Sequence, residues 1–379
     1  MFTGIEVDML SLGDADCIVV TKYENSVPHR IIVDGGSGSS AEEILEFLFK
    51  RGMTDFWAAI CTHPHSDHAA GLIKIVKNPR IRIQTAFMHD IRKHIAPDVL
   101  RRAAAADDGV NEVVETTKEL AAAFTGHTHL RQQPIEPFAG GYIADWPATT
   151  VLGPSLAFYT KALEESTKLD LPLPAPYAAP YSSALGSILG GVTAPTPSPL
   201  FSGFGRTAAP TAVSPDFASL LSGALSNSSV KEKPKTQSFN NTSAILGIVF
   251  NGHRLLFTAD AGADALDAIP PEWKNLTWMQ VPHHGSDGNL SQANIERFCP
   301  RFAFVSACGD SSHPSRAIVN GIMKVRHDAE VCSTHENHHL WYWNGTVPAR
   351  PDYGPVTVLK ATGDLKPIDW SSMILGGAR

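Results

Sequence analysis

The apolar run Phe56-Trp57-Ala58-Ala59-Ile60 leads directly into Cys61-Thr62-His63-Pro64-His65-Ser66-Asp67-His68, so three histidines and an aspartate fall within six positions at a strand end. This stretch limits the fold more than any other, because polar groups at the end of a buried strand must find partners. Side chains two apart on a strand share a face, so His63 and His65 can grip one cation together. Asp67 and His68 fall on the turn into the helical pattern that begins at Ala69, and can point at a second cation beside the first. Imidazole and carboxylate donors suit zinc, with manganese or iron in related sites.

Two later segments supply what the cluster lacks. "HRLLFTAD" (His253–Asp260) is an apolar strand ending in a carboxylate, and Asp260 at that position can bridge two cations. "QVPHHGS" (Gln280–Ser286) is a second strand, ending in His283-His284, either of which can close the second site. A strand-end aspartate alone is often a turn residue. Joined to the first cluster, these pieces form a set.

The rest of the chain supplies strands and helices to carry that set. Strands are expected at Ile5–Leu12, Cys17–Lys22, Arg30–Val33, Trp57–Cys61, Ala244–Phe250, Arg254–Thr258, Trp278–Val281 and Phe302–Ser306. Ala41–Arg51 has helical spacing, with Ile44, Leu45, Leu48 and Phe49 on one face and Ser40 as N-cap. Helices are also expected at Ala69–Val76 and Ser291–Phe298, and one long one over Val99–Ala123. Strands recurring with helices between them predict an α/β protein whose sheets are covered by helices. With 379 residues, 43% of them hydrophobic, the chain can bury a large core as one domain over 1–379. From 171 to 237 the composition turns to Pro, Ala, Ser and Gly without a period. That segment is expected to be a flexible insertion, or a lid or partner-binding loop using Tyr177, Tyr181, Phe201 and Phe204.

A net charge of -7 argues against a long non-specific grip on nucleic acid. Any such contact would use a local patch, for which Lys74, Lys77, Arg80, Arg82, Arg92 and Lys93 are candidates; an ordinary solvated face is the alternative. The five cysteines are odd in number and scattered without a CxxC, which fits a reducing compartment better than a disulfide framework. "MFTGIEVDML" has no basic region ahead of an apolar one, and the segment 184–204 is broken by Gly and Pro. A cytoplasmic protein without membrane insertion is therefore expected.

The stretches "LGDADCIVV", "IIVDGG", "THPHSDHAAGL", "VLGP", "NNTSAIL", "LLFTAD", "VPHHGS" and "SSHP" follow one another in this order. So arranged, they resemble the metallo-β-lactamase-fold metallo-hydrolases, and within them the competence-type branch typified by the hydrolase domain of bacterial DNA-uptake channel (ComEC) proteins. The resemblance runs through most of the chain outside the insertion and implies a four-layer αββα sandwich. It places Asp16 at the branch's aspartate position. It also implies that His63 and His65 hold a first metal, that Asp67 and His68 hold a second, and that Asp260 bridges. His284 aligns best with the last ligand because a glycine follows it, which leaves His283 to touch the ligands from behind or the substrate. His313 matches a histidine that serves as phosphate contact or proton donor, and Asn240, Asn241 and Ser286 are substrate-binding candidates.

Many relatives carry a third histidine for the first metal just before the strand leading to the bridging aspartate. Here that place holds Asn240-Asn241-Thr242-Ser243, as in the branch resembled, so occupancy by one zinc ion or two is open, with manganese possible as the metal. His127 and His129 of "GHTHL" lie too early in the chain to replace it. His89, His94, His335, His338 and His339 read as ordinary histidines, although His89 follows a strand end and could line the cleft.

The expected activity is metal-dependent hydrolysis by an activated water, as a phosphodiesterase or nuclease, with Asp67, His313 and His283 as catalytic residues. The expected substrate is a phosphoester, nucleotide or nucleic acid, and the acidic total charge favours a small or single-stranded one. Two alternatives are a regulatory protein that binds a partner through 171–237, and a carbonyl hydrolase acting on a lactone, lactam or thioester.

Overall fold

A computed structural model of the protein describes residues 4–25, 27–143, 149–167, 229–250, 252–307, 313–334, 357–359 and 366–367. Strand β2 (Ile18–Glu24) shows how the sequence builds its layers. Successive side chains on a strand point to opposite faces. Ile18 and Val20 enter one core, while Cys17 and Val19 enter another on the far side of the same sheet. Both faces of this sheet are covered.

The first sheet has five strands in the order β1 (Gly4–Met9), β2, β3 (Val27–Val33), β4 (Asp55–Ile60) and β5 (Arg82–Phe87). The first three form an antiparallel meander, and β3, β4 and β5 run parallel. Parallel neighbours need crossover helices, here α1 (Ala41–Lys50) and α2 (Ser66–Lys77). The second sheet has eight strands in the order β13-β12-β11-β10-β9-β8-β7-β6. These are β6 (Thr149–Gly153), β7 (Ile245–Phe250), β8 (His253–Phe257), β9 (Trp278–Gln280), β10 (Phe302–Val305), β11 (Glu330–Ser333), β12 (Thr357–Leu359) and β13 (Lys366–Pro367). Its centre, β8 to β11, is parallel and its two flanks are antiparallel.

Between the sheets lies a core to which the first contributes Ile5, Val7, Ile31 and Ile60 and the second Leu246, Phe257, Trp278 and Phe304. Outside the first sheet, α1, α2 and α4 (Asp108–Thr125) cover it with Leu48, Leu72, Ile75, Leu120 and Phe124. Outside the second, α5 (Ala263–Asp267), α6 (Gln292–Phe298) and α7 (Arg316–Val325) contribute Leu266, Phe298, Ile318 and Ile322. Helix, sheet, sheet, helix is the four-layer order expected.

The expected helix over Val99–Ala123 is two helices, α3 (Pro97–Ala106) and α4. Asp107 breaks it: its backbone is extended, and its carboxylate accepts from the Gly109 and Val110 amides at the start of α4, a capping arrangement that competes with a continuous helix. Ser40 precedes α1 but makes no side-chain cap; its hydroxyl lies 2.8 Å from that of Ser37. By its contacts the chain divides into a unit of 1–172 and 230–379 and another of 173–229. Most of the segment 171–237 lies outside the described residues, but Val230 packs against the core under the second sheet.

Register brings the loops together. Val33 pairs with Ile60 and Ile60 with Phe87, so β3, β4 and β5 end level. Leu256 pairs with Met279 and Gln280 with Phe304, so β8, β9 and β10 do likewise. The two sheets meet at this edge through a bond from the Ala244 amide to the Thr62 carbonyl. In α/β sheets, the crevice outside the carboxyl ends of the strands is where ligands bind.

Candidate metal centre

Several polar side chains at this edge are held by groups behind them. His63 follows β4, His65 sits at the N-cap of α2, and Asp67 and His68 lie in its first turn, so the helix begins earlier than Ala69. Gly35 and Gly71 let α2 dock against the β3 loop, since a Cβ at either would collide with backbone of the other segment. The Gly35 amide donates to the His68 carbonyl at 2.8 Å. That docking sets the His68 Nδ1–H 2.8 Å from Asp34 Oδ2, while the other Asp34 oxygen accepts from the Thr62 amide at 2.8 Å. Asp260 follows β8 on a turn whose Thr258 and Ala259 amides both donate to Gln280 Oε1. Gln280 Nε2 in turn donates to Asp16 Oδ2 at 2.8 Å, and the Ser306 hydroxyl donates to Asp16 Oδ1. His284 Nδ1 lies 3.0 Å from the Ser306 carbonyl.

The opposite atoms of these side chains converge. His68 Nε2 lies 3.4 Å from Asp260 Oδ1 and 3.7 Å from Asp67 Oδ2, and His284 Nε2 lies 3.6 Å from Asp67 Oδ2. Asp67, His68, Asp260 and His284 thus form one group of donors, and His63, His65 and Asp260 form a second. Asp260 belongs to both: Oδ1 faces His68, and Oδ2 lies 3.7 Å from His63 Nε2.

The donor set passes a test of fit for metal. His68 Nε2, Asp260 Oδ1 and His284 Nε2 are buried and have no hydrogen-bond partner, a costly state unless something else satisfies them. With bonds of about 2.0–2.1 Å to a tetrahedral zinc, donor atoms sit roughly 3.3–3.4 Å apart, close to the spacings here. Second carboxylates and carbonyls that fix the far nitrogen of a metal-binding histidine are the usual support for such sites.

Backbone strain collects at the same place. Asp34, Ala259, His283 and His284 all have positive φ, at 58°, 45°, 49° and 55°. Such conformations cost of order 1–3 kcal/mol each for residues other than glycine and cluster at functional sites.

Charge is unevenly distributed. Burial, with His68 and His65 nearby, holds His63 well below the usual imidazole range. At His68 burial acts downward too, but Asp260, Asp67 and Asp34 outweigh it and hold the ring well above that range. His284 rises to about 9, because Asp67, Asp260 and Asp16 outweigh its burial. A prediction follows for the metal-free protein. The stabilising charge on His284 is fully present below its ordinary value near 6.5 and disappears as pH rises through about 9. Melting temperatures of chelator-treated protein are expected to fall across that window, whereas metal-loaded protein holds steady, because ligation needs the deprotonated ring. Parallel curves with and without metal would contradict this.

The remaining expected residues are placed as follows. His313 lies beside the pair, its ring centre 5.9 Å from that of His283 and 6.2 Å from that of His284. Asn240 is buried with its amide nitrogen 3.3 Å from His283 Nδ1, and Asn241 accepts from the Gly262 amide. The Ser286 hydroxyl accepts from the Gly288 amide. His127 spans the Val76 carbonyl and the Ile83 amide, a packing role far from the ligand groups in the chain's layering. His89 is buried against Tyr159, with both ring nitrogens unpartnered, and burial lowers it to about 3. His335, His338 and His339 lie outside the described residues. Of the basic patch, Arg82 pairs with Asp55, Arg92 with Asp90, Lys74 donates to the Gly38 carbonyl and Arg80 lies over Phe49. Asp34, Gln280, Ser306 and Asn289 were not anticipated as site residues; the only signal was Asp34 after the apolar "IIV".

The chain is thus a two-sheet sandwich between helices, with a His/Asp cluster at the carboxyl ends of its inner strands. No family model matches the chain and no curated protein matches it. Among solved structures it is similar to a Thermotoga maritima protein described as a metallo-β-lactamase, at 18% identity and a TM-score of 0.26, over 39% of this chain and 65% of that one. The chain thus spans just under two thirds of that protein's length. It is also similar to a diphosphatase of the PhnP family, at 9% identity and a TM-score of 0.33, over 80% of this chain and 85% of that one. Among the described residues, no helix is long and apolar enough to cross a membrane.

Proposed function

We propose that the protein is a metal-dependent phosphoester hydrolase whose two cations, zinc or manganese, share Asp260. The observation that carries this reading is the pair of donor groups meeting at one carboxylate, with His68 Nε2, Asp260 Oδ1 and His284 Nε2 buried and without a hydrogen-bond partner. Cations bound there would supply Lewis acidity toward an attacked oxygen and lower the pKa of a bound water. Nitrogen and carboxylate donors without thiolate suit zinc or manganese.

The chain's own residues do the rest. Asp34 fixes the His68 tautomer so that Nε2 presents its lone pair, and the Ser306 carbonyl does the same for His284. Asp67 lies between His68 and His284 with its side chain 35% exposed. It is the carboxylate that can both ligate and accept a proton from the attacking water. His313 stands next to the pair, where an imidazolium would donate to a phosphoryl oxygen or to the leaving group.

The likeness of "VPHHGS" and "SSHP" to the competence-type branch supports a phosphodiester over a lactam or thioester. The surroundings favour a small substrate over a long nucleic acid. Beside His65 and Asp67 opens a cleft of about 610 Å³ whose other walls include Asp107, Glu112, Glu165 and Phe239, and a polyanionic strand would be repelled there. Most of the basic patch is spent on local pairs. The alternative of partner binding through 171–237 rests on residues that mostly lie outside those described.

The test is a screen of purified protein, supplemented with zinc or manganese, against bis(p-nitrophenyl) phosphate, cyclic nucleotides, phosphocholine esters, RNA and single-stranded DNA. Metal-dependent cleavage of the small esters is expected. Cleavage confined to nitrocefin or lactones would overturn the reading.

A further inference from the structure

The first donor group has two imidazoles, His63 and His65, beside Asp260, one donor short of a four-coordinate cation. His283 lies just outside that group. Its Nε2 is 3.8 Å from Asp260 Oδ2, the same oxygen that His63 Nε2 approaches at 3.7 Å. His283 and His284 are consecutive and both left-handed, at φ 49° and 55°, and Gly285 continues the turn at φ 78°. An extended chain would send neighbouring side chains to opposite faces. This turn sends His284 toward Asp67 and His283 toward Oδ2 of Asp260.

The hydrogen bonds behind His283 decide which nitrogen carries its proton. Asn289 is fully buried, and its Nδ2 donates to the Asp260 carbonyl at 2.8 Å and the Ala261 carbonyl at 3.4 Å. Two carbonyl acceptors fix the orientation of that amide. Its Oδ1 must therefore be the atom 3.0 Å from His283 Nδ1, and an oxygen there can only accept. Asn240 Nδ2 also approaches Nδ1, at 3.3 Å, but the Asn289 contact is the shorter, which places the hydrogen on Nδ1 and leaves Nε2 facing the side of Asp260. With the hydrogen on Nδ1, Nε2 is the nitrogen that can take a cation shared with Asp260 Oδ2.

We propose that His283, on the loop after β9, completes the first group as its third imidazole. Asn289 is then a positioning residue that sets its tautomer while holding the Asp260 backbone, so ligand and bridge share one brace. Both ends of the "HH" pair ligate, one to each cation. This rests on the two-cation reading above, but its failure can be told apart from the failure of that reading.

The test is zinc titration of chelator-stripped protein by calorimetry, comparing the wild type with His283→Asn and His284→Asn. Asparagine is chosen because it tolerates the left-handed conformation that these positions require. Thermal melts of the stripped proteins check that the fold survives. The wild type is expected to bind two equivalents, and each variant to lose about 10- to 100-fold or more in affinity for one of them, a different one in each case. Long-range 1H–15N spectra of the zinc-loaded wild type should show His283 protonated at Nδ1 and metal-bound at Nε2. If His283→Asn keeps two equivalents at wild-type affinity, or the spectra show Nε2 free, the assignment of His283 is wrong while the two-cation site stands. If the wild type binds no zinc, both fall together.

Discussion

Replacing Asp260 by asparagine is expected to lower kcat/KM on bis(p-nitrophenyl) phosphate by about 10³-fold and to reduce bound zinc from two equivalents to at most one. Asp260 is 1% exposed, and its oxygens face different partners, Oδ1 toward His68 and Oδ2 toward His63. An asparagine of the same shape can offer an oxygen to only one of them. Whichever way its amide turns, the other group meets an NH2 that repels a cation. Cation catalysis contributes several kcal/mol to transition-state charge stabilisation, and each 1.36 kcal/mol is tenfold in rate. Activity within tenfold of wild type, with two zinc ions retained, would show that Asp260 does not bridge.

Asp34→Asn is expected to have the next largest effect, through a residue that touches no cation. Its carboxylate accepts from His68 Nδ1–H, the Thr62 hydroxyl and the Thr62 amide. Asparagine tolerates the left-handed φ of 58° and can still accept from the Thr62 amide. Its NH2, however, would then face the His68 Nδ1–H. Two donors cannot share that space, so His68 is driven to the other tautomer, with its hydrogen on Nε2, the atom meant for metal. Loss of this kind of support costs about 10–100-fold in metal affinity. Excess zinc should therefore restore much of the activity of Asp34→Asn and little of that of Asp260→Asn. Equal failure of rescue in both would place Asp34 in a purely structural role.

The donor groups proposed as ligands were legible because their residues come in short runs after apolar strands. His63, His65, Asp67 and His68 lie on one stretch, and Asp260 and the 283–284 pair each end a strand of their own. Strand ends at one sheet edge are brought together by parallel register, which the alternation of strands and helices already implied. The braces were not legible. Gln280 reads as part of a strand, Asn289 as loop and Ser306 as a strand end, and each gains its role only when two sheets press the loops together. Asp34 reads as a turn residue because Gly35-Gly36 follow it; its use depends on α2 docking over Gly35, a long-range contact without a local mark. Between His283 and His284 the sequence favoured the second only because a glycine follows it. Two left-handed residues in succession bring His284 to Asp67 and His283 to Asp260, a turn that the sequence does not announce. The break at Asp107 was missed for a plainer reason, as the apolar spacing continues across it and only the Asp-Asp-Gly step signals a cap.

The most direct measurement is activity during zinc titration of the chelator-stripped protein, with bis(p-nitrophenyl) phosphate as substrate and bound metal read in parallel. The site described here predicts no turnover without metal and a rise that saturates as the second equivalent binds. Undiminished turnover in the stripped protein, or saturation with metal bound and no hydrolysis of any phosphoester, would contradict it.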